Sequence, residues 1–172
     1  MGNTQRVIQI DPSLLVSKLT VGEFIDIIAT TSKGFQNQAK KRVDFTNCGP
    51  GQTPLPIIKC DDVQFSIFPA GTIVEKQIVP EPPARFLEVV GIGMVQIDFP
   101  CVGDVELHIA NLGGNLIQVD FFDDNAQNLA TAVADPKEVI QELVYTGPIP
   151  CCHIRVNVNA AECYIRRLCY LA

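Results

Sequence analysis

Apolar and polar residues alternate with a period of two along much of this chain. In Ile117-Gln118-Val119-Asp120-Phe121 the three apolar side chains point one way, and Gln118 and Asp120 point the other. Ile154, Val156 and Val158 alternate with Arg155 and Asn157 in the same manner. Each such segment predicts a strand with one buried and one wet face, as in antiparallel sheets. The pattern recurs at 42–46, 63–68, 72–79, 85–90, 94–99, 105–110, 116–122, 140–145 and 163–170. Turn chemistry separates these segments: NCGPGQTPLP at 47–56, Pro69-Ala70-Gly71, Pro80 to Pro83, Pro100, Gly103-Asp104, Gly113-Gly114-Asn115, Asp123-Asp124-Asn125, Gly147-Pro148 and Asn159-Ala160. Strands spaced by about 8–12 residues with turns between them predict an all-β sandwich or barrel. Nothing repeats at a fixed period, which excludes a solenoid or propeller.

Helical periodicity is confined to the N-terminal part. Residues 5–10 (RVIQID) read as a short strand ended by Asp11-Pro12. Thr20 and Glu23 then form a capping box, Phe24, Ile25, Ile27 and Ile28 share one face, and Gly34 is placed to stop the helix. A helix over 21–32 is predicted. Residues 1–46 are therefore expected to form a strand and helix segment, packed on the sandwich or used in assembly. Residues 47–172 are expected to form the β-sandwich domain, with Pro80 to Pro83 a rigid connector. The predicted core is Phe65, Ile67, Phe86, Val89, Val95, Ile97, Leu107, Ile109, Val119, Phe121, Leu143, Ile154, Val156, Val158 and Ile165.

Three pieces of the C-terminal half belong together. Arg85-Phe86-Leu87-Glu88-Val89 leads to a Gly-x-Gly. Val105-Glu106-Leu107 is followed by Asn115 to Asp124, a strand closing on an acidic turn. Ile154-Arg155-Val156 is followed by Glu162-Cys163-Tyr164-Ile165-Arg166. Through these pieces residues 83–170 resemble bacterial jelly-roll modules of the carbohydrate-binding or galactose-binding-like type. The resemblance covers about half the chain, rests on strand spacing, and implies a fold: an all-β, antiparallel jelly-roll-like β-sandwich, here with a short N-terminal helical segment. Fold alone does not carry function.

Composition narrows the partners. The 172 residues suit one domain, and 47% hydrophobic against 19% charged residues supports a real core. A net charge of −6 argues against nucleic acid and anionic membranes, since both require a basic face. No apolar run approaches the ~20 residues needed to span a bilayer. MGNTQRVIQIDPS shows no basic segment followed by an apolar run, so no signal peptide is visible.

Seven cysteines, Cys48, Cys60, Cys101, Cys151, Cys152, Cys163 and Cys169, are the densest chemistry in the chain. All are disulfide or cross-link candidates, and an odd count leaves at least one unpaired within the chain. Disulfides persist outside the cytosol. The missing leader leaves three explanations: reduced buried thiols, release without a signal, or a chain trimmed to its mature form. Cys151 and Cys152 point to opposite faces of an extended chain, so one can bond inside the domain and the other outward to a neighbour. Cys163 and Cys169 share a face but stand ~20 Å apart along a strand, too far to bond each other.

A zinc site among Cys151, Cys152, His153, Cys163 and Cys169 is disfavoured, because none of the spacings makes a Cys-x(2–4)-Cys knuckle. Catalysis is not expected. Cys152-His153 are sequence neighbours rather than a spatial dyad, His108 sits on the solvent side of an alternating strand, and no G-x-S-x-G, phosphate loop or HExxH occurs. Asp123, Asp124 and Asn125 are a candidate calcium site, set against ordinary turn formation by the same side chains; no other cofactor is expected. The chain has no Trp and three Tyr, which weakens an aromatic sugar platform.

The leading expectation is a non-enzymatic structural subunit that self-associates into a surface layer or fibre, with cysteines cross-linking its contacts. In composition it is similar to bacterial spore-surface and appendage subunits. The alternative is an extracellular ligand-binding module, most plausibly for glycans. Either places the protein outside the cell or on a spore or cell surface.

Overall fold

The computed structural model describes residues 40–171. The expected strand at 5–10 and helix at 21–32 lie outside the described residues. Seven strands follow in order: β1 (Lys40–Asp44), β2 (Leu55–Cys60), β3 (Val63–Lys76), β4 (Ala84–Gly114), β5 (Ile117–Phe122), β6 (Asn128–Ala134) and β7 (Lys137–Leu171). They are hydrogen-bonded in the order β2-β3-β4-β7-β5-β6, with β1 beside β7. The fold is all-β, and the β2–β3, β3–β4, β4–β7, β5–β6 and β5–β7 ladders are antiparallel. Because β1 pairs with β7 and Phe45 is fully buried, the sheet starts before residue 47.

β4 and β7, of 31 and 35 residues, each absorb three predicted strands. Pro100, Gly103-Asp104 and Gly147-Pro148 end nothing; the chain runs through them with shifts in register. The two long strands pair more than once. Leu87 to Asp98 run against Ile165 to His153, whereas Leu107 lies between Leu168 and Leu143, both from β7. One layer thus holds β2, the first part of β3, Met94 to Asp98 of β4, His153 to Val158 of β7, β5 and β6. The other holds the second part of β3, the beginning of β4, the end of β7, the second half of β4 and the beginning of β7, paired in that order. The result is a jelly-roll-like sandwich built largely from bent strands.

Bends fall at Pro69-Ala70-Gly71, Gly114 and Asn159-Ala160, which turn chemistry marks in the sequence, and also at Gly91, which it does not mark. Register shifts fall between Phe68 and Thr72 in β3 and between Gly91 and Ile92 in β4. Gly91 and Ala160 take positive φ of 88° and 52°. These bends lie side by side: a Cβ on Gly93 would meet the Phe68 carbonyl oxygen at 2.8 Å, and one on Gly114 would meet that of Ala160 at 2.0 Å. An extra residue in a ladder bends and twists the strand, so successive bulges turn it from one layer into the other.

The predicted core residues are buried, with Leu143 half-buried against them. All but Phe86 belong to one main cluster, which Phe45, Ile73, Leu87 and Tyr170, among others, also join. A smaller cluster of Ile78, Phe86, Ala110 and Tyr164 sits beside the Pro80 connector. The connector is fixed by Ile140 N–H donating to the Val79 carbonyl at 2.8 Å and by Glu81, which accepts from Arg166 and Arg167.

Candidate functional site

Alternation gives the first layer a polar outer face, and strand register decides which of its side chains meet. Gln96 of β4 lies opposite Arg155 of β7, which lies opposite Asp120 of β5, which lies opposite Thr131 of β6. The adjoining row runs Gln64, Asp98, His153, Phe122, Asn128, and the next runs Met94, Asn157, Gln118, Val133. Gln96, Asp120 and Arg155 come from three strands and become neighbours only across the ladders.

The face is internally hydrogen-bonded. Asp120 accepts from Thr131 Oγ1 at 2.6 Å, from Asn157 Nδ2 at 3.2 Å and from Gln118 Nε2 at 3.0 Å. Asp98 Oδ1 accepts from Gln96 Nε2 at 3.1 Å and lies 2.6 Å from His153 Nδ1. The Arg155 guanidinium stands 5.0 Å over the Phe122 ring, and its Nη2 reaches Gln96 Oε1 at 3.5 Å. Arg155 Nε is buried and has no hydrogen-bond partner among the described residues. Gln96, Phe122, Ala126, His153, Ile154 and Arg155 line a depression of about 90 Å³. Flat polar groups fixed by one another, with an aromatic ring beneath a cation, can present donors and acceptors without reorganising on binding.

A larger cleft of about 420 Å³ adjoins this face, sharing Gln64 and Asp98 and reaching Lys59, Asp61 and Asp62. Asp62 accepts from Tyr170 Oη at 2.5 Å and pairs with Lys41 Nζ at 2.9 Å. The Tyr170 hydrogen bond, followed by that of Lys41, holds the Asp62 carboxyl below its ordinary value against the opposing effect of burial. Burial, then the same Asp62 contact, pushes the Tyr170 phenol up.

The cysteines resolve into two bonded pairs, Cys48–Cys60 and Cys101–Cys152. Cys151, Cys163 and Cys169 are buried thiols outside these bonds. Cys151 and Cys152 do point apart, but Cys151 points into the core rather than toward a neighbouring chain. Burial pushes the Cys151 thiol up to about 11 and raises that of Cys163 further still.

Asp123 Oδ1 accepts the N–H groups of Asn125 at 3.0 Å and Gln127 at 2.8 Å, closing the β5–β6 turn, with Asp124 and Asn125 exposed. His108 departs from its expected place on a solvent face: its residue exposure is 5%. Alternation does set it opposite the core, where Glu106, Glu142 and Arg167 crowd around it. Burial first, and the Arg167 charge second, hold its imidazole below the ordinary value. Tyr145 donates to the Ile149 carbonyl at 2.7 Å, and all three tyrosines are buried. Among the described residues the surface aromatics are Phe122, half-buried, and Phe68, 72% exposed.

No protein-family model matches this sequence, and no curated protein matches it. Among solved structures, this chain is similar to a point mutant of the family 29 carbohydrate-binding module CBM29-2 complexed with mannohexaose, at TM-score 0.46 and 11% identity, covering 77% of this chain and 92% of that one. A further CBM29-2 mutant gives TM-score 0.40 at 10% identity, over 58% of this chain and 80% of that one. A mutant lectin-binding domain of Lectinolysin complexed with Lewis b gives TM-score 0.37 at 16% identity, over 51% and 71%. At these scores the likeness carries neither fold nor function, and the architecture above rests on the strand pairing.

Proposed function

We propose that this protein is a non-enzymatic glycan-binding module whose site is the polar outer face of β4, β7, β5 and β6. A sugar ring presents hydroxyls that both donate and accept, together with a flat apolar C–H face. Its recognition calls for fixed, alternating polar groups beside an exposed planar surface. Gln96 and Asp98 supply acceptors, while Asn157, Arg155 and Gln118 supply donors, with buried Asp120 fixing Asn157 and Gln118 in place. The observation that carries this reading is the Arg155 guanidinium, stacked over Phe122 and lining with Gln96 and His153 the depression on this face. Mixed charges on the face suit an uncharged glycan better than a polyanion. Two intrachain disulfides favour an extracellular or surface location. Among the described residues no helix is long and apolar enough to cross a membrane.

The test is affinity gel electrophoresis against a panel of soluble polysaccharides, backed by a glycan array. Retardation by at least one neutral glycan that is lost in Arg155→Ala and Phe122→Ala, with the fold kept, supports the reading. Absence of binding across the panel, or binding indifferent to both substitutions, overturns it. The competing reading, a fibre or layer subunit cross-linked by cysteines, has less behind it. Four cysteines are bonded within the chain and the other three are buried.

A further inference from the structure

On the second layer, strand register gathers a different set of side chains, none of them used by the glycan reading. Glu106 and His108 stand two residues apart on β4 and so share its outer face. Cys169 of β7 lies directly opposite Glu106. One ligand atom from each of the three lies within 4.8 Å of the others. The imidazole side chain is 6% exposed and the carboxylate of Glu106 16% exposed. Both ring nitrogens face carboxylates: Nε2 is 3.4 Å from Glu106 Oε2, and Nδ1 is 3.9 Å from Glu142 Oε1. Arg167, across the ladder from His108, pairs with the Glu81 carboxylate.

We infer that Glu106, His108 and Cys169 form a binding site for a divalent transition metal, with Zn²⁺ the ion the donors suit best. Thiolate, imidazole and carboxylate together are a borderline-soft set, which favours zinc over magnesium or calcium. Carboxylate and thiolate bring two negative charges to match the ion, and Cys169 gives up its proton to solvent as the metal binds. Zinc–ligand bonds of about 2.0–2.3 Å require ligand atoms somewhat closer together than 4.8 Å, a change within reach of side-chain rotation. Glu142 faces the ring nitrogen that would not ligate, the place where a carboxylate commonly orients a metal-bound histidine. With three protein ligands, one coordination position is left for water or a ligand atom. The metal would clip the end of β7 to β4, adding a cross-link on the face opposite the core.

The spacing rule applied to the sequence could not find this site. It weighs cysteines close together in the chain, whereas Cys169 follows His108 by 61 residues. The one local clue is the Glu-x-His alternation at 106–108.

The full chain is incubated with Zn²⁺ and desalted, and the metal is counted per chain; Co²⁺ is then substituted and its absorption recorded. One zinc per chain and a thiolate-to-cobalt charge-transfer band are expected. Cys169→Ser and Glu106→Gln are each expected to weaken zinc binding at least 100-fold. Glu142→Gln should weaken it by about 10-fold while keeping the cobalt spectrum. Arg155→Ala should still hold one zinc, which separates this site from the glycan face. No retained zinc in wild type, equal retention by Cys169→Ser, or a cobalt complex without the thiolate band overturns the proposal. Should Cys169→Ser fail to fold, Glu106→Gln and the wild-type cobalt spectrum decide.

Discussion

Glu81 Oε2 accepts the Nε–H of Arg166 at 2.7 Å, joining residues 85 positions apart in the chain. Arg167 donates to the other oxygen of the same carboxylate. One side chain thereby fastens the Pro80 connector to the end of β7.

The pair makes stability depend on pH. Burial alone would raise the Glu81 carboxyl, but the hydrogen bonds from Arg166 and Arg167 outweigh it and leave it below 4.5. A carboxyl lowered in the folded state contributes stability that is complete above its unfolded value and is lost as pH falls through its folded value. Glu81→Gln is expected to cost about 3 kcal/mol near neutrality, because the largely buried Arg167 loses its counter-charge and Arg166 keeps only the more distant Asp44 carboxylate. The gap between wild type and variant should shrink progressively below about pH 4.5. Urea unfolding of both proteins at neutral and acidic pH checks this; an unchanged gap contradicts it.

The two disulfides differ in the chain they enclose. Cys101–Cys152 spans 51 residues and Cys48–Cys60 spans 12. Loop entropy then assigns about 4 kcal/mol to the first and about 3 kcal/mol to the second. Unfolding of the two Cys→Ser double variants should rank them in that order.

Thiol chemistry reports the same arrangement. Native protein is expected to react slowly with a thiol reagent at mildly alkaline pH, since burial raises Cys151 to about 11 and Cys163 beyond that. Unfolding without reductant should release three thiols per chain. A fast-reacting native thiol, or a total other than three, would contradict the pairing.

Gly114 tests the corner between the layers. Its φ is +87°, and an added Cβ would meet the Ala160 carbonyl oxygen at 2.0 Å. Backbone sits on both sides of that contact, so Gly114→Ala should cost about 3 kcal/mol. Gly113→Ala, with nothing near its Cβ, is the matched control and should be close to neutral. Thermal melts of the two variants compare them directly.

On the proposed glycan face, Asp120 holds Gln118, Thr131 and Asn157 in place. Asp120→Ala leaves those donors without their acceptor and should cost about 2 kcal/mol. It should also weaken glycan retention by about tenfold, through loss of preorganisation. Gel retardation and a melt on the same sample separate the two effects.

The sequence determined the class and most of the core. Phe65, Val95, Val119 and Ile154 are each 0% exposed, as their alternation predicts, because burial of one strand face is a local consequence of side chains pointing alternately up and down. It also located some of the corners, since Pro69-Ala70-Gly71, Gly114 and Asn159-Ala160 stand where the backbone bends, but not the one at Gly91. It did not distinguish a turn that ends a strand from a bulge that bends one, because both use the same residues. Hence the strands read at 85–90, 94–99 and 105–110 proved to be one. The sites were decided by tertiary structure alone. Arg155 meets Phe122 and Gln96, and Cys169 meets Glu106 and His108, through registers between strands far apart in the chain. Such registers are set by how whole faces pack and where bulges shift the ladder, and no local pattern encodes them.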